Sequence, residues 1–246
     1  MARYNVFQMP RSKSSSTIRW PWRRLLHTVA IIVIVLLALP YLIALLYRFV
    51  NPVSTLMLWR WATGQRVEHV WTPLERIAPA LPLAVIGAED GTFCRNRGID
   101  LGAMREAIER SDDDLGASRG ASTITQQTAK NLFLWQGRSI VRKALELPLA
   151  VWLYLVLPKR RVLEIYLNIV EWGPNGEFGA EAASRWAFNK PARGLNTAEA
   201  AALASILPNP VRRSARTPSP LVRRLTGVYE RRSAEFPNLD ACIRSH

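Results

Sequence analysis

The sequence is short of several things, and each shortage excludes something. Its 246 residues include only two cysteines, Cys94 and Cys242, and neither belongs to a CxxC pair. Zinc-ribbon and thioredoxin-like chemistry are therefore unsupported. Two cysteines so far apart are expected to be unpaired, although an oxidising compartment would let them join. No run alternates apolar and polar residues long enough to argue for a sheet. There is no internal repeat, and no helix-turn-helix, zinc-finger or RNA-binding signature. Nucleic acid is therefore not expected as a partner, despite a formal net charge of +14.

Acidic residues are absent from positions 1–24, where Arg3, Arg11, Lys13, Arg19, Arg23 and Arg24 lie. Of the 33 basic residues, those six and Arg48 leave 26 for the remainder, against 19 acidic ones. The excess thus sits in a short basic head and a basic body. Beside a bilayer, such a body suits anionic headgroups or phosphate-bearing substrates.

The stretch LLHTVAIIVIVLLALPYLIALLY, between Arg24 and Arg48, holds no charged residue. It is long enough to cross a bilayer of about 30 Å as a helix. Membrane helices tolerate a kinking proline such as Pro40. The run is too long for a cleaved signal peptide, and no clear small-x-small site follows it. We expect a cytoplasmic basic head at 1–24, a transmembrane helix at 25–47, a juxtamembrane segment at 48–79 and a catalytic body at 80–246. The purely basic head puts the N-terminus in the cytoplasm and the body outside the inner membrane. Trp20, Trp22, Tyr41 and Tyr47 suit the two interfaces. Trp59, Trp61 and Trp71 suit either a core or an interfacial seat.

Beyond residue 80 the pattern is helical. LPLAVIGAED is an apolar helix ending in two acids, and LGAMREAIER repeats at helical spacing. RKALELPLAVWLYLVL is nearly all apolar, with Pro148 expected to break its first turns. KRRVLEIYLNIV sets Val162, Ile165, Tyr166 and Ile169 on one stripe. TAEAAALASIL begins with Thr197 as the expected N-cap. WGPNGEFG is a loop, and the sequence after Pro208 is a basic, proline-punctuated tail with a final helix.

Three segments carry chemistry. In the first, Glu89 and Asp90 close an apolar helix. Adjacent like charges and apolar surroundings both resist ionisation, which is how a general base is prepared. The second, GASTITQQTAKNLFL from Gly120, offers Ser122, Gln126 and Gln127 to sugar hydroxyls and Lys130 to a phosphate. The third, RSIVRKALE, gathers Arg138, Arg142 and Lys143 ahead of an apolar helix. Glu146 lies one turn from Arg142, which is compatible with burial among cations.

Together with LNIVEWG and EAAALASILPNP, these segments resemble the family-51 glycosyltransferases in their single-domain, anchored, monofunctional form. The resemblance covers about residues 80–215, and no penicillin-binding domain follows the last motif. It implies a mostly helical fold, with a lysozyme-like head and a smaller membrane-apposed lobe, beside the transmembrane helix. It also implies a peptidoglycan glycosyltransferase that extends a lipid-linked glycan with lipid II. Glu89 would then be the base and Glu146 the second essential carboxylate. Lys130 and Arg138 would bind the pyrophosphate. Ser122, Gln126, Gln127, Asp90, Arg142 and Asn168 would contact substrate or support those that do. No cofactor is required, with magnesium or manganese admitted at the pyrophosphate. Lipid II, the growing glycan and membrane lipids are the implied partners, and cell-division or penicillin-binding proteins are admissible ones.

The chain departs from the family pattern at three points. Asn96 stands where the family has His, Ala121 where it has Gly, and Pro158 where it has Ser. The alternatives are a lysozyme-like hydrolase, which would have no pyrophosphate to hold, and an inactive scaffold, which would not need Glu89 or Lys130.

Overall fold

A computed structural model describes residues 22–111, 122–137, 139–235, 238 and 240–244. The chain falls into two units, residues 1–39 and 40–246. All of the first unit's described residues lie in α1 (Trp22–Leu46), a helix of 25 residues that passes through Pro40. Beyond Thr28 its side chains are apolar on every side but for Tyr41, and the apolar residues are largely exposed, as Leu36 at 61% and Leu37 at 51%. A long helix whose apolar residues from Leu25 to Leu39 are mostly exposed is built for lipid. Among the described residues it is the one helix long and apolar enough to cross a membrane.

The second unit is mostly helical. It contains α2 (Thr55–Ala62), α3 (Ala80–Glu89), α4 (Leu101–Ser111), α5 (Ile124–Phe133), α6 (Ile140–Val156), α7 (Lys159–Ile169), α8 (Ala180–Phe188), α9 (Thr197–Ile206) and α10 (Pro220–Glu235). Two short strands, β1 (Glu68–His69) and β2 (Glu177–Phe178), pair in parallel, with Glu68 opposite Glu177. They are two residues each, too short for alternation to show in the sequence. The stretch 48–79 is part of this unit's core, since Met57, Leu74 and Ile77 are buried in it. Trp59 and Trp61 stand exposed at 63% and 49%, whereas Trp71 packs against the core under the Arg161 guanidinium.

Two helix groups meet at the centre. One packs α3 against α9 and α10; the other packs α5 against α6 and α7. α3 is apolar all round and buries Leu81, Ala84, Val85 and Ile86, which fixes its C-terminal end deep in the body. α7 buries Val162, Ile165, Tyr166 and Ile169, the stripe read in the sequence. α5 starts with a capping box. The Thr123 hydroxyl accepts from the Gln126 N–H and the Gln126 side chain accepts from the Thr123 N–H, which satisfies two otherwise orphaned donors.

Three local expectations are corrected. α6 continues through Pro148. The proline removes one backbone bond, but the Ser139 cap and the buried Leu149, Ala150 and Leu153 hold both halves. The N-cap of α9 is Asn196, not Thr197, because the Asn196 side chain closes a capping box with Glu199. Cys94 and Cys242 are bonded, their Cα atoms 5.3 Å apart across 148 residues of sequence. Helix packing returns the tail to the loop after α3, a proximity that spacing in the sequence does not encode.

Candidate active site

Glu89 is the last residue of α3 and Asp90 is its C-cap. The Glu89 carboxylate is only partly accessible. Its Oε2 accepts one hydrogen bond, from Gln127 Nε2 at 2.8 Å, and Gln127 Oε1 accepts in turn from the buried Tyr166 hydroxyl at 3.0 Å. Burial pushes the Glu89 carboxyl up; the Gln127 bond, Lys130 and Arg213 hold it partly down, and Asp90 pushes it up again. A carboxyl so placed is a stronger base than an exposed glutamate.

Asp90 is buried and works inward. Its oxygens accept from the Ile124 N–H at 3.0 Å, from Thr92 Oγ1 at 3.0 Å and from Asn96 Nδ2 at 3.0 Å. Burial raises its pKa, opposed first by the Ile124 N–H. Asp90 therefore ties the end of α3 to the start of α5, one turn before Gln127. A pocket of about 260 Å³ opens beside this junction, lined by Glu89, Asp100, Ser122, Thr123 and Arg232 among others.

The second carboxylate, Glu146 on α6, is 2% exposed. Arg142 holds one of its oxygens, and Lys143 Nζ holds the other at 2.6 Å. Lys143 Nζ also donates to Ser122 Oγ at 2.8 Å. Ser122 thereby joins the Glu146 cluster to the wall of the Glu89 pocket. Arg142 reaches further, to the Gly137 carbonyl. Lys130, on α5 between the two carboxylates, is half-buried. No described carboxylate lies within ion-pair distance of its amine. Burial lowers its pKa, Glu146 and Glu89 raise it, and Arg142 and Lys143 lower it. The result is an amine among mixed charges, with hydrogen-bonding capacity left for an anion.

The structure thus brings together Glu89, Asp90, Ser122, Gln127, Lys130, Arg142 and Glu146. Two further motif residues make their hydrogen bonds inside the fold. Asn168 is fully buried, accepting from the Thr72 N–H and donating to the Thr72 and Glu164 carbonyls. It fastens segment 70–74 to α7 and has no polar atom left for a substrate. Gln126 is fully buried and spends its Oε1 on the cap of α5. Arg138 lies outside the described residues, as do Trp20 and Ala121.

Sequence reasoning missed Tyr166, which it read as one more apolar stripe residue. It also missed three residues that the basic tail contributes. Arg213 and Tyr229 feel the Glu89 charge, and Arg232 donates to the Gly87 carbonyl at 2.5 Å. The run of arginines after Pro208 was the visible signal, but nothing in it gave the address.

A carboxyl kept basic, beside a lysine with spare capacity and a cation-clasped second carboxylate, has the groups an acid–base step on an anionic substrate needs. A sequence profile described as Transglycosylase matches residues 57–232, and the chain belongs to that family. Among relatives it is 55% identical to the biosynthetic peptidoglycan transglycosylase of Rhodopseudomonas palustris (strain TIE-1), over 91% of this chain and 94% of the relative. It is 54% identical to the protein so named in Nitrobacter hamburgensis, over 90% and 97% of the two chains. It is 46% identical to that of Agrobacterium fabrum, over 90% and 98%.

Proposed function

We propose that this chain is a membrane-anchored peptidoglycan glycosyltransferase that polymerises lipid II into β-1,4-linked glycan strands and releases undecaprenyl pyrophosphate. Family membership and the relatives' shared name support the activity. The observation that carries the mechanism is Glu89. It is half-buried, raised in pKa, and held by a single neutral donor on one oxygen.

In the scheme, Glu89 takes the proton from the 4-hydroxyl of the acceptor sugar. That oxygen bonds to C1 of the donor as the bond from C1 to pyrophosphate breaks on the opposite face. The α-linked donor becomes a β-linked product. Negative charge grows on the leaving phosphate oxygens, and Lys130 and Arg138 are the cations assigned to it. Charges aimed there stabilise the transition state more than the ground state. Glu146 fixes Arg142, Lys143 and Ser122 beside that path. Asp90 and Gln126 set α5 against α3, and Gln127 orients Glu89.

The scheme needs no resident cofactor; a magnesium or manganese ion would arrive with the pyrophosphate. The apolar helix anchors the chain once in the inner membrane, with a cytoplasmic N-terminus and a periplasmic body. Lipid II, the lipid-linked glycan and membrane lipids are its partners, and cell-division or penicillin-binding proteins are its candidate protein partners.

The test is incubation of the purified full-length protein with labelled lipid II, resolving products by size. The expected product is a polymer ladder. Lys130→Ala should cut turnover by about 10²–10³-fold, as loss of a charge-stabilising group does. A Lys130→Ala rate near that of the unaltered protein would remove Lys130 from the pyrophosphate assignment, and absence of polymer from the unaltered protein would favour a hydrolase.

A further inference from the structure

Lys159, in the first turn of α7, has no place in the scheme above, yet it is held with care. Its amine donates to Asn96 Oδ1 at 2.8 Å. It lies 4.6 Å from the centre of the Phe93 ring and 5.2 Å from that of Tyr154. Phe93 is fully buried. A lysine tucked against two rings and one amide oxygen is not a solvated surface charge.

Asn96 passes the contact on. Its Nδ2 donates to both oxygens of Asp90 at 3.0 Å, and its Oδ1 also accepts from the Gly98 N–H at 3.2 Å. Position 96 must therefore accept on one side and donate on the other. Asparagine meets both demands in every protonation state of the site. Beyond Asp90 the path continues to the Ile124 N–H, the start of α5.

Tyr166 lies seven residues further along α7, two turns away. Its hydroxyl reaches Glu89 through Gln127. One helix thus touches the Glu89–Asp90 pair twice: Lys159 through Asn96 on Asp90, and Tyr166 through Gln127 on Glu89. We propose that Lys159 is a positioning residue for the transfer step, acting through Asn96 and Asp90 to hold the end of α3 and the start of α5 in the register that aims Glu89. Burial lowers the amine's pKa to about 8 and Asp90 partly restores it, so the contact is with a charged donor at neutral pH.

This inference rests on the glycosyltransferase reading, and the experiment separates the two. Full-length protein in lipid–detergent mixtures is assayed on labelled lipid II, with kcat and KM measured separately and thermal unfolding followed in parallel. Lys159→Met should lower kcat by at least roughly tenfold, because small misplacements of catalytic groups carry losses of that size and more. KM should stay within about twofold, because no substrate contact is removed. Lys159→Arg should recover most of the rate.

Asn96→Leu should reproduce the Met variant's loss, and the double variant should be no slower than either single one. If Lys159→Met fails to fold, Asn96→Leu carries the test, since it leaves the amine packed on Phe93 and Tyr154. A Met or Leu variant with the unaltered kcat, a loss confined to KM, or losses that multiply in the double variant would each overturn the proposal. Polymer from the unaltered protein together with unimpaired variants would overturn it alone. No polymer from the unaltered protein would overturn the transferase reading beneath it.

Discussion

Glu89 and Glu146 are two sheltered carboxylates of one site, and they are treated in opposite ways. Glu146 sits inside α6 with a cation on each oxygen. Glu89 sits at the end of α3 with one amide donor on one oxygen, and burial pushes its carboxyl up. A carboxylate with a cation on each oxygen is engaged on both sides by its own structure. A carboxylate deprived of water and offered only a neutral donor is ready to accept one. On the proposed scheme, their neighbours fit Glu146 to a structural part and Glu89 to the chemical one.

The largest expected effect breaks the comparison at Glu89. Glu89→Gln keeps the size of the side chain but cannot take a proton. Polymerisation should fall by about 10²–10⁴-fold, the range that general-base removal costs, with no loss of folded protein. The check is the lipid II rate alongside circular dichroism. Substantial polymer from the Gln variant would take Glu89 out of the base role.

Breaking the other side should act on folding first. Glu146→Ala leaves Arg142 and Lys143 facing each other in a half-buried space, and removing one partner of a buried pair costs about 3–5 kcal/mol. A denaturant midpoint shifted down accordingly, with activity lost in proportion, is expected. A normally stable but inactive Ala variant would show that Glu146 takes part in the chemistry directly.

The difference between these two acids was only half legible in the sequence. Glu89, Lys130 and Glu146 stood in motifs, and the apolar run before Arg48 read directly as a membrane-length helix. What raises the pKa of Glu89 was not legible. Its environment comes from Gln127 and Tyr166, 38 and 39 residues apart in successive links, and from a tail more than a hundred residues on. Periodicity reports which face of a helix is buried, not which neighbour it meets. For Asn168 and Gln126 the motif positions left contact and support both open, and only the fold shows them fully buried with hydrogen bonds inside it.

The Cys94–Cys242 bond sharpens the comparison from the Glu89 side. Cys94 is in the loop that leaves Asp90, and the bond joins this loop to the C-terminal segment. Cys94→Ser should lower stability by about 2–4 kcal/mol, the usual contribution of a bond closing a long loop. Reductant should do the same to the unaltered protein and nothing further to the Ser variant. Equal unfolding midpoints with and without reductant would show that the bond contributes nothing to the fold.

The smallest effect is the most discriminating, because it gives Glu89→Gln and Glu146→Ala opposite signs on stability. Burial raises the folded-state pKa of Glu89 above its unfolded value. As pH rises from the unfolded pKa, near 4.3, the unfolded chain releases this proton first. Ionised Glu89 then favours unfolding, and the cost is complete once pH has passed the folded pKa. Glu89→Gln removes that cost, so the variant should be at least as stable as the unaltered protein at pH 7, with the advantage shrinking toward pH 4. The acid limb of kcat/KM should also lie above the ordinary glutamate range, since the base must be ionised to act. Denaturant midpoints at the two pH values and one pH–rate profile decide the matter. A Gln variant clearly less stable at pH 7 would mean that the Glu89 carboxylate is a structural partner like Glu146, and the contrast between the two acids would collapse.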